Sequence, residues 1–200
     1  MTKKKFQRPL CNPFIVSEHA FYAVQNCKGG SIIECGVFDG CSSMVYNYCL
    51  RHLDYKITQY AADTFDGFPY DGTEQEGYKT GDLKPTNLWV ITELESHGII
   101  PLIGKVEDTL PKHLSDEQFS FVFLDMDLEE PTRFAIAFFK DKIKKGGRIG
   151  FHNYTEEKGG RFYGISKAID ELLLPKENWR EVVRTKKRGR DAKFIFFERI

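Results

Sequence analysis

The sequence contains two stretches with the same pattern, Phe121-Val-Phe-Leu-Asp-Met-Asp127 and Gly146-Gly-Arg-Ile-Gly-Phe-His-Asn-Tyr154. Each is a short apolar run, typical of a buried strand, that ends in polar side chains able to bind a metal or move a proton. The polar residues are Asp125, Asp127, His152 and Asn153. A helix-length segment separates the two runs, so two parallel strands joined by a helix would bring these side chains to one edge of a sheet. The sequence therefore predicts a functional site at that edge.

Short apolar runs of this kind alternate with helix-length segments along most of the chain. The pattern predicts strands at residues 31–35, 56–62, 99–103, 119–124, 148–151, 179–185 and 193–199. It predicts helices at residues 41–53, 86–96, 131–143 and 165–174. Alternating strands and helices are typical of a parallel sheet, and two successive strands at the end favour a hairpin. We therefore predict an α/β fold with a Rossmann-like, doubly wound, mostly parallel seven-stranded sheet and a C-terminal antiparallel hairpin.

The length of the chain favours a single domain. Its 200 residues suffice for one domain with its own core, so we expect residues 1–200 to fold as one unit. Residues 70–85 are rich in Gly, Asp, Glu and Thr. We interpret them as a mobile lid loop that could close over a bound molecule and exclude water, with an ordinary surface loop as the alternative.

Charge and composition exclude several classes of partner. The chain has 29 basic and 29 acidic side chains, and zero net charge argues against a general nucleic-acid-binding protein. No stretch reaches the roughly 18 apolar residues of a membrane span, and no apolar run of a signal peptide follows the basic start. The five cysteines lack metal-binding spacing and favour reduced thiols. We expect a cytoplasmic protein without nucleic-acid or membrane partners, and the sequence is compatible with a homo-oligomer.

A glycine-containing loop, Glu34-Cys-Gly-Val-Phe-Asp-Gly40, joins the first predicted strand to the first helix. Glycines let the backbone approach a ligand, and the amino end of a helix offers N–H groups to an anion. Phe38 replaces the middle glycine of the dinucleotide-binding fingerprint, so a tight turn without a ligand is the plainer interpretation. Asp63, at the end of the second strand, could accept the two hydroxyls of a ribose, or could simply cap a turn. Together the two features favour a nucleoside-type cofactor.

Several longer motifs carry a more specific resemblance. They are Glu34–Gly40, Ala62-Asp-Thr-Phe-Asp-Gly-Phe-Pro69, Gly104-Lys-Val-Glu-Asp-Thr-Leu-Pro111, Asp125-x-Asp127, and the Gly146-Gly147 pair followed by Tyr154. Over residues 30–175 this series resembles the macrocin O-methyltransferase family. Members of that family are class I enzymes that transfer a methyl group from S-adenosylmethionine to sugar hydroxyls of natural products. The resemblance implies the same fold, cofactor and reaction class.

The resemblance also implies roles for particular residues. The implied cofactor-binding residues are Glu34, Gly36, Phe38, Gly40, Ser42, Asp63, Thr64, Phe65, Glu107, Asp108 and Asp125. The loop after the first strand would contact the methionine end, Asp63 would hold the ribose, and the acids after the third strand would border the adenine. Asp125 would also help to bind a divalent cation, Mg²⁺ or Mn²⁺, and Asp127 would act as the general base. Residues 1–29 would help to cap the acceptor.

The chain departs from the family at the metal site. Where the family has Asp-Asp-Tyr, this sequence has His152-Asn153-Tyr154, which removes two negative charges. Three interpretations stay open. Asp125, Asp127 and Asn153 could keep a weakened Mg²⁺, or His152 could favour a softer ion such as Mn²⁺, Ni²⁺ or Zn²⁺. In the third, His152 is the general base without a metal, because the unperturbed pKa of imidazole lies near neutrality. A structural role for His152, fixing its loop, is the plain alternative to all three.

These observations predict an S-adenosylmethionine-dependent O-methyltransferase acting on a hydroxyl of a small acceptor, with a sugar or glycoside as the expected acceptor. Asp125, Asp127 and His152 are the candidate catalytic residues. An N-methyltransferase is one alternative, because its acceptor is nucleophilic once neutral and could dispense with a metal. A cofactor-binding protein without activity is the other, because the replacement at 152–153 could have inactivated the site.

Overall fold

A computed structural model describes residues 20, 24, 27, 29–155, 157–173, 177–184 and 194–200 of the chain. The strands in this part of the chain are β1 (Ser31–Cys35), β2 (Gln59–Asp63), β3 (Ile99–Ile103), β4 (Phe119–Leu124), β5 (Ile143–Phe151), β6 (Trp179–Arg184) and β7 (Ile195–Arg199). The helices between them are α1 (Cys41–His52), α2 (Val90–Ser96), α3 (Val106–Leu114), α4 (Glu129–Phe139) and α5 (Tyr163–Leu172).

The strands form one sheet in the order β3-β2-β1-β4-β5-β7-β6. Strands β1 to β5 pair in parallel, whereas β7 runs antiparallel to both β5 and β6. The predicted Rossmann-like, mostly parallel seven-stranded sheet with an antiparallel C-terminal pair is therefore confirmed. Strand order reverses between β1 and β4, which are neighbours in the sheet. Ligands of such sheets bind at this reversal, beyond the carboxyl ends of the strands.

Alternating side chains on the central strands fill two cores, one on each face of the sheet. On β4, Phe121 and Phe123 belong to the cluster that contains the buried face of α1. Val122 and Leu124 point the other way, into the cluster formed with α3, α4 and α5. Every residue of β4 is buried, as a strand covered on both faces requires. Because both faces are covered, the carboxyl ends of the strands are where a site can form.

Helix α3 follows β3 and is not predicted by the sequence pattern. Pro111 lies inside it, and proline lacks the N–H group that a helix interior needs. The helix forms because Val106, Leu110 and Leu114 recur every four residues and are all buried. Glu107 lies in its first turn, where the helix dipole favours a negative charge.

Several other bounds differ from the prediction, among them the starts of α2 and β5. Helix α2 begins at Val90 rather than at residue 86, because Asp39 accepts hydrogen bonds from the backbone N–H groups of Thr86 (2.7 Å) and Asn87 (3.1 Å). These bonds hold the preceding segment in a turn. Strand β5 begins at Ile143, the residue where the third predicted helix would end, and a register shift follows before it pairs regularly with β4.

The predicted N-terminal segment, residues 1–29, lies mostly outside the described residues. Ala20, Val24 and Cys27 are described, and all three are buried in the apolar cluster that contains α1. The role of the segment as a cap over the acceptor stays a prediction. None of the helices in the described part of the chain is long and apolar enough to cross a membrane.

Candidate active site

The carboxyl ends of four parallel strands bring these ionisable residues to one edge of the sheet: Glu34, Asp63, Asp125 and His152. At the reversal of strand order, the Asp125 backbone N–H donates to the carbonyl oxygen of Cys35 at 2.8 Å. Gly36 is required there, because a Cβ atom on it would lie 2.0 Å from the backbone oxygen of Asp125. Gly36, which the family resemblance implies as a cofactor contact, therefore also allows the ends of β1 and β4 to lie this close together.

Asp63 connects the end of β2 to the loop between β1 and α1. Its Oδ2 accepts hydrogen bonds from the backbone N–H groups of Val37 (2.6 Å) and Phe38 (2.9 Å). Its Oδ1 accepts one from the N–H of Phe65 at 2.8 Å, while the Thr64 hydroxyl donates to the carbonyl oxygen of Gly67 at 2.5 Å. A carboxylate has about four acceptor positions, so Asp63 can shape this loop and still accept a hydroxyl group of a ligand.

Glu34 is buried beside the start of α1, with 1% of its surface exposed. The hydroxyl groups of Ser42 and Ser43 both donate to its carboxyl group. Burial raises the pKa of Glu34 to about 8; the two serines oppose this increase, and the negative charges of Asp125 and Asp63 add to it. Burial therefore keeps the carboxyl group of Glu34 largely neutral at pH 7, even though Ser42, an implied cofactor contact, donates a hydrogen bond that favours the ionised form.

The raised pKa of Glu34 predicts a pH-dependent stability. The folded protein holds the Glu34 proton up to about pH 8, whereas the unfolded chain releases it near pH 4.5. The unfolded chain therefore binds fewer protons in this range, and the free energy of unfolding falls as pH rises through it. Asp127 acts in the same direction only up to about pH 6. Between pH 6 and pH 8 we expect the free energy of unfolding to fall by roughly 2 kcal/mol, and the Glu34→Gln variant should not show this fall.

Thermal unfolding of the ligand-free protein between pH 6 and 8 measures this effect. The matched control is Glu95→Gln, a neutralised acid on the exposed side of α2, which should keep the wild-type slope. Equal slopes in wild type and Glu34→Gln would show that Glu34 is already ionised in the folded protein.

The residues after β4 and β5 form two bonded pairs. Nδ1 of His152 lies 2.6 Å from Oδ1 of Asp125. The side-chain amide of Asn153 donates to Oδ1 of Asp127. The His152 ring also packs against Phe194, with ring centroids 4.8 Å apart. The four side chains that the two opening sequence runs predict at one edge therefore lie together there.

Asp127 has a second donor from the predicted lid loop. The hydroxyl of Tyr78 donates to its Oδ2 at 3.0 Å. Burial raises the pKa of Asp127 to about 6; Asp125 adds to the increase and His152 opposes it. Burial also raises the pKa of Tyr78 above its usual range, so the Tyr78 hydroxyl stays protonated and remains a donor. Both oxygens of Asp127 are thus engaged, one by Asn153 and one by Tyr78.

The loop at residues 70–85 is fastened to the site by side chains that the sequence pattern does not predict. The guanidinium group of Arg161 lies over the Tyr78 ring, 4.0 Å from its centroid. Arg161 Nε donates to the backbone oxygen of Glu76 at 2.6 Å. The Glu76 carboxyl accepts the N–H of Glu129 at the start of α4, also at 2.6 Å. These contacts attach the loop to the site, and its role as a mobile lid stays a prediction.

Tyr70, a second tyrosine of this loop, contacts Glu107, which the family resemblance places beside the adenine. Tyr70 donates to Oε1 of Glu107 at 3.0 Å. The other oxygen of that carboxyl, Oε2, is buried and has no hydrogen-bond partner among the described residues. A buried acceptor without a donor costs free energy, so a ligand that supplies a donor would be stabilised there. The neighbouring acid, Asp108, is exposed.

Unusual backbone conformations mark the same loops. Phe38, Phe65, Asp127 and Asn153 have φ values between 51° and 65°. Residues other than glycine are uncommon in this region, and such residues cluster at active sites and ligand sites. Each of the four lies in the loop that follows a site-forming strand, namely β1, β2, β4 or β5. This strain is not readable from the residue pattern, because two of the four residues are phenylalanines.

The sheet order is the one expected of a class I methyltransferase. So is the arrangement of the site, with Glu34 and Asp63 beside the glycine-containing loop and with Asp125 and His152 at the ends of β4 and β5. Solved structures of similar fold include CalS11, a calicheamicin methyltransferase, with a TM-score of 0.72 and 18% identity, covering 92% of this chain and 77% of that chain. The O-methyltransferase NovP has a TM-score of 0.68 and 20% identity, covering 94% and 78%. An O-methyltransferase from Bacillus cereus in complex with SAH has a TM-score of 0.65 and 14% identity, covering 96% and 84%. These likenesses establish the fold.

The family follows from the sequence itself. A family model described as a methyltransferase domain matches residues 33–154, and the chain belongs to that family. The predicted enzyme class, a methyltransferase, is thereby confirmed. No curated protein sequence matches the chain.

Proposed function

We propose that the protein is an S-adenosylmethionine-dependent O-methyltransferase of the macrocin type that methylates a hydroxyl group of a small acceptor, with a sugar or glycoside as the acceptor class. The observation that carries this proposal is the position of the bonded Asp125–His152 pair. The pair lies where strand order reverses, directly beside Gly36 and the loop that leads to α1. Groups able to take up a proton thus adjoin the loop proposed to hold the methyl donor.

The cofactor half has the donors and acceptors that S-adenosylmethionine needs. Asp63 shapes the loop and keeps acceptor capacity for a ribose hydroxyl. Oε2 of Glu107, which has no hydrogen-bond partner within the described part of the chain, suits a donor such as the adenine amino group. The start of α1, which follows Gly40, offers N–H groups to a carboxylate such as that of the methionine portion. S-adenosylmethionine is the methyl donor that this set of groups fits.

The reaction requires an acceptor oxygen aligned with the methyl group and freed of its proton. The oxygen attacks the methyl carbon, the oxygen–carbon bond forms, and the carbon–sulfur bond breaks with its electron pair left on sulfur. The product of the donor is S-adenosylhomocysteine. Alignment lowers the barrier because the translational and rotational entropy of the two reactants is already lost when they bind. A positioned base removes the proton as charge develops on the acceptor oxygen. We assign these tasks to the cluster of Asp125, Asp127 and His152.

The acceptor class rests on chemistry and on likeness. One solved structure of similar fold is named as a TDP-rhamnose 3'-O-methyltransferase, and the motifs at residues 62–69 and 104–111 resemble enzymes that methylate sugars. A sugar hydroxyl is a weak acid, so its methylation benefits from a positioned base more than that of a catechol does. The three ionisable groups at the ends of β4 and β5 supply that help.

Transfer from isotopically labelled S-adenosylmethionine to a panel of sugar nucleotides, glycosides, catechols and amines tests the proposal. We expect a labelled methyl ether on a sugar hydroxyl, identified by mass spectrometry and NMR. A methylated nitrogen would instead identify an N-methyltransferase. Tight binding of S-adenosylhomocysteine without transfer to any acceptor would identify an inactive binding protein, and absence of binding would overturn the cofactor assignment.

A further inference from the structure

The ends of β4 and β5 hold the groups that the family resemblance implies for a divalent cation. The ligand atoms of Asp125, Asp127 and His152 lie within 4.8 Å of one another. Mg²⁺ demands near-octahedral oxygen coordination, and it is a poor partner for imidazole. Where the family has two aspartates, this chain has His152 and Asn153, so the cluster carries two fewer negative charges. The donor set does not fit Mg²⁺.

Hydrogen bonds occupy both carboxylate oxygens of Asp127 and one carboxylate oxygen of Asp125. Asp127 accepts from the amide of Asn153 on one oxygen and from the Tyr78 hydroxyl on the other. Asn153 thus directs a donor, not its carbonyl oxygen, at the carboxylate. Asp125 faces Nδ1 of His152 through its Oδ1. A cation on these three oxygens would have to displace three donors, one from Tyr78 in the loop at residues 70–85 and two from His152 and Asn153 at the end of β5.

We propose that this methyltransferase works without a divalent cation and that His152, oriented by Asp125, is the base that removes the acceptor proton. The inference rests on the proposed O-methyl transfer. The 2.6 Å contact makes Nδ1–H the donor to Asp125. That bond fixes the tautomer, so Nε2 is the nitrogen that takes up a proton. The ring orientation is further fixed by packing against Phe194.

The proton and electron balance of the step is complete with these groups. As the acceptor oxygen bonds to the methyl carbon and sulfur leaves with its electron pair, the hydroxyl proton passes to Nε2 of His152. The carboxylate of Asp125 stabilises the imidazolium that forms. The proton then leaves to solvent once the product departs. Asp127, engaged by Asn153 and Tyr78, is a positioning residue that holds the loop over the site.

Cation binding can be measured without any turnover. Titration of the wild-type protein with MgCl₂ and with MnCl₂, in the presence of S-adenosylhomocysteine, should give no calorimetric binding at this site. The double variant His152→Asp, Asn153→Asp restores the acidic pair and should gain Mg²⁺ binding. Its matched control is His113→Asp, Asn178→Asp, which makes the same charge change at two exposed positions and should gain none.

Wild-type binding of either ion that disappears in Asp125→Ala would overturn the proposal, whether or not the double variant folds. A second readout uses activity. We expect wild-type turnover to survive EDTA, and His152→Ala to lose at least about a hundredfold in kcat. Added imidazole should restore part of that loss, since it replaces a base. EDTA inhibition reversed by Mg²⁺ or Mn²⁺ would again overturn the proposal. Failure of the proposed function has a different signature: no S-adenosylhomocysteine binding, or no transfer to any acceptor.

Discussion

Asp63→Ala is expected to weaken S-adenosylhomocysteine binding by roughly a hundred- to ten-thousandfold. The change removes a charged acceptor for the ribose, worth about 1.5–3 kcal/mol. It also leaves the N–H groups of Val37 and Phe38 without the Oδ2 atom that holds them at 2.6 and 2.9 Å. Losing that support loosens the loop and costs about as much again. The sum of about 3–6 kcal/mol corresponds to the stated loss of affinity.

Isothermal titration with S-adenosylhomocysteine measures this effect, and thermal unfolding shows whether the variant is folded. Asp63→Asn separates the two contributions, because its amide oxygen can still accept the loop N–H groups while the charge is gone; we expect an intermediate loss. Asp66→Ala is the matched control, since Asp66 is an exposed acid in the same motif that pairs with Lys84. An affinity of Asp63→Ala equal to that of the control would remove Asp63 from the cofactor site.

The fold is predictable from local pattern wherever the strands are short, buried and bounded by glycine or polar residues. β1, β3 and β4 have the predicted bounds for this reason, and their alternation with helices fixes the parallel topology. The pattern fails where a tertiary contact overrides it. Pro111 argues against a helix that α3 nevertheless forms by burying three apolar side chains. Asp39 captures the backbone at Thr86 and delays the start of α2.

The site residues also divide into those that the sequence pattern predicts and those that depend on tertiary contacts. Acids at strand ends are predictable because parallel topology places all carboxyl ends on one edge. Tyr70, Tyr78 and Arg161 are not, because they lie in irregular segments whose path depends on the finished fold. Tyr70 and Tyr78 stand out as the two aromatic residues in a segment otherwise rich in Gly, Asp, Glu and Thr, whereas the sequence carries no such signal for Arg161. The pairing of His152 with Asp125, and of Asn153 with Asp127, likewise needs the relative position of β4 and β5.

Asp125→Asn is expected to lower kcat by about a hundred- to ten-thousandfold and to leave the affinity for S-adenosylhomocysteine within about threefold. The carboxylate accepts from Nδ1 of His152 at 2.6 Å, and it is the charge that stabilises the imidazolium formed during methyl transfer. An asparagine amide offers no negative charge. Its N–H₂ group can instead donate to Nδ1, which would place the proton on Nε2 and leave no base for the acceptor.

Measuring kcat and the affinity for S-adenosylhomocysteine separately shows whether Asp125 takes part in the chemical step. A merely structural role would lower the unfolding temperature and weaken cofactor binding together, because the backbone N–H of Asp125 also ties the end of β4 to β1 at Cys35. That backbone bond survives the substitution, so a folded variant with normal cofactor affinity and low kcat isolates the side chain. Asp116→Asn, an exposed acid after α3, should keep wild-type values of both constants. Wild-type kcat in Asp125→Asn would mean that His152 needs no partner, and the Asp125–His152 pair would then have no part in the proton transfer.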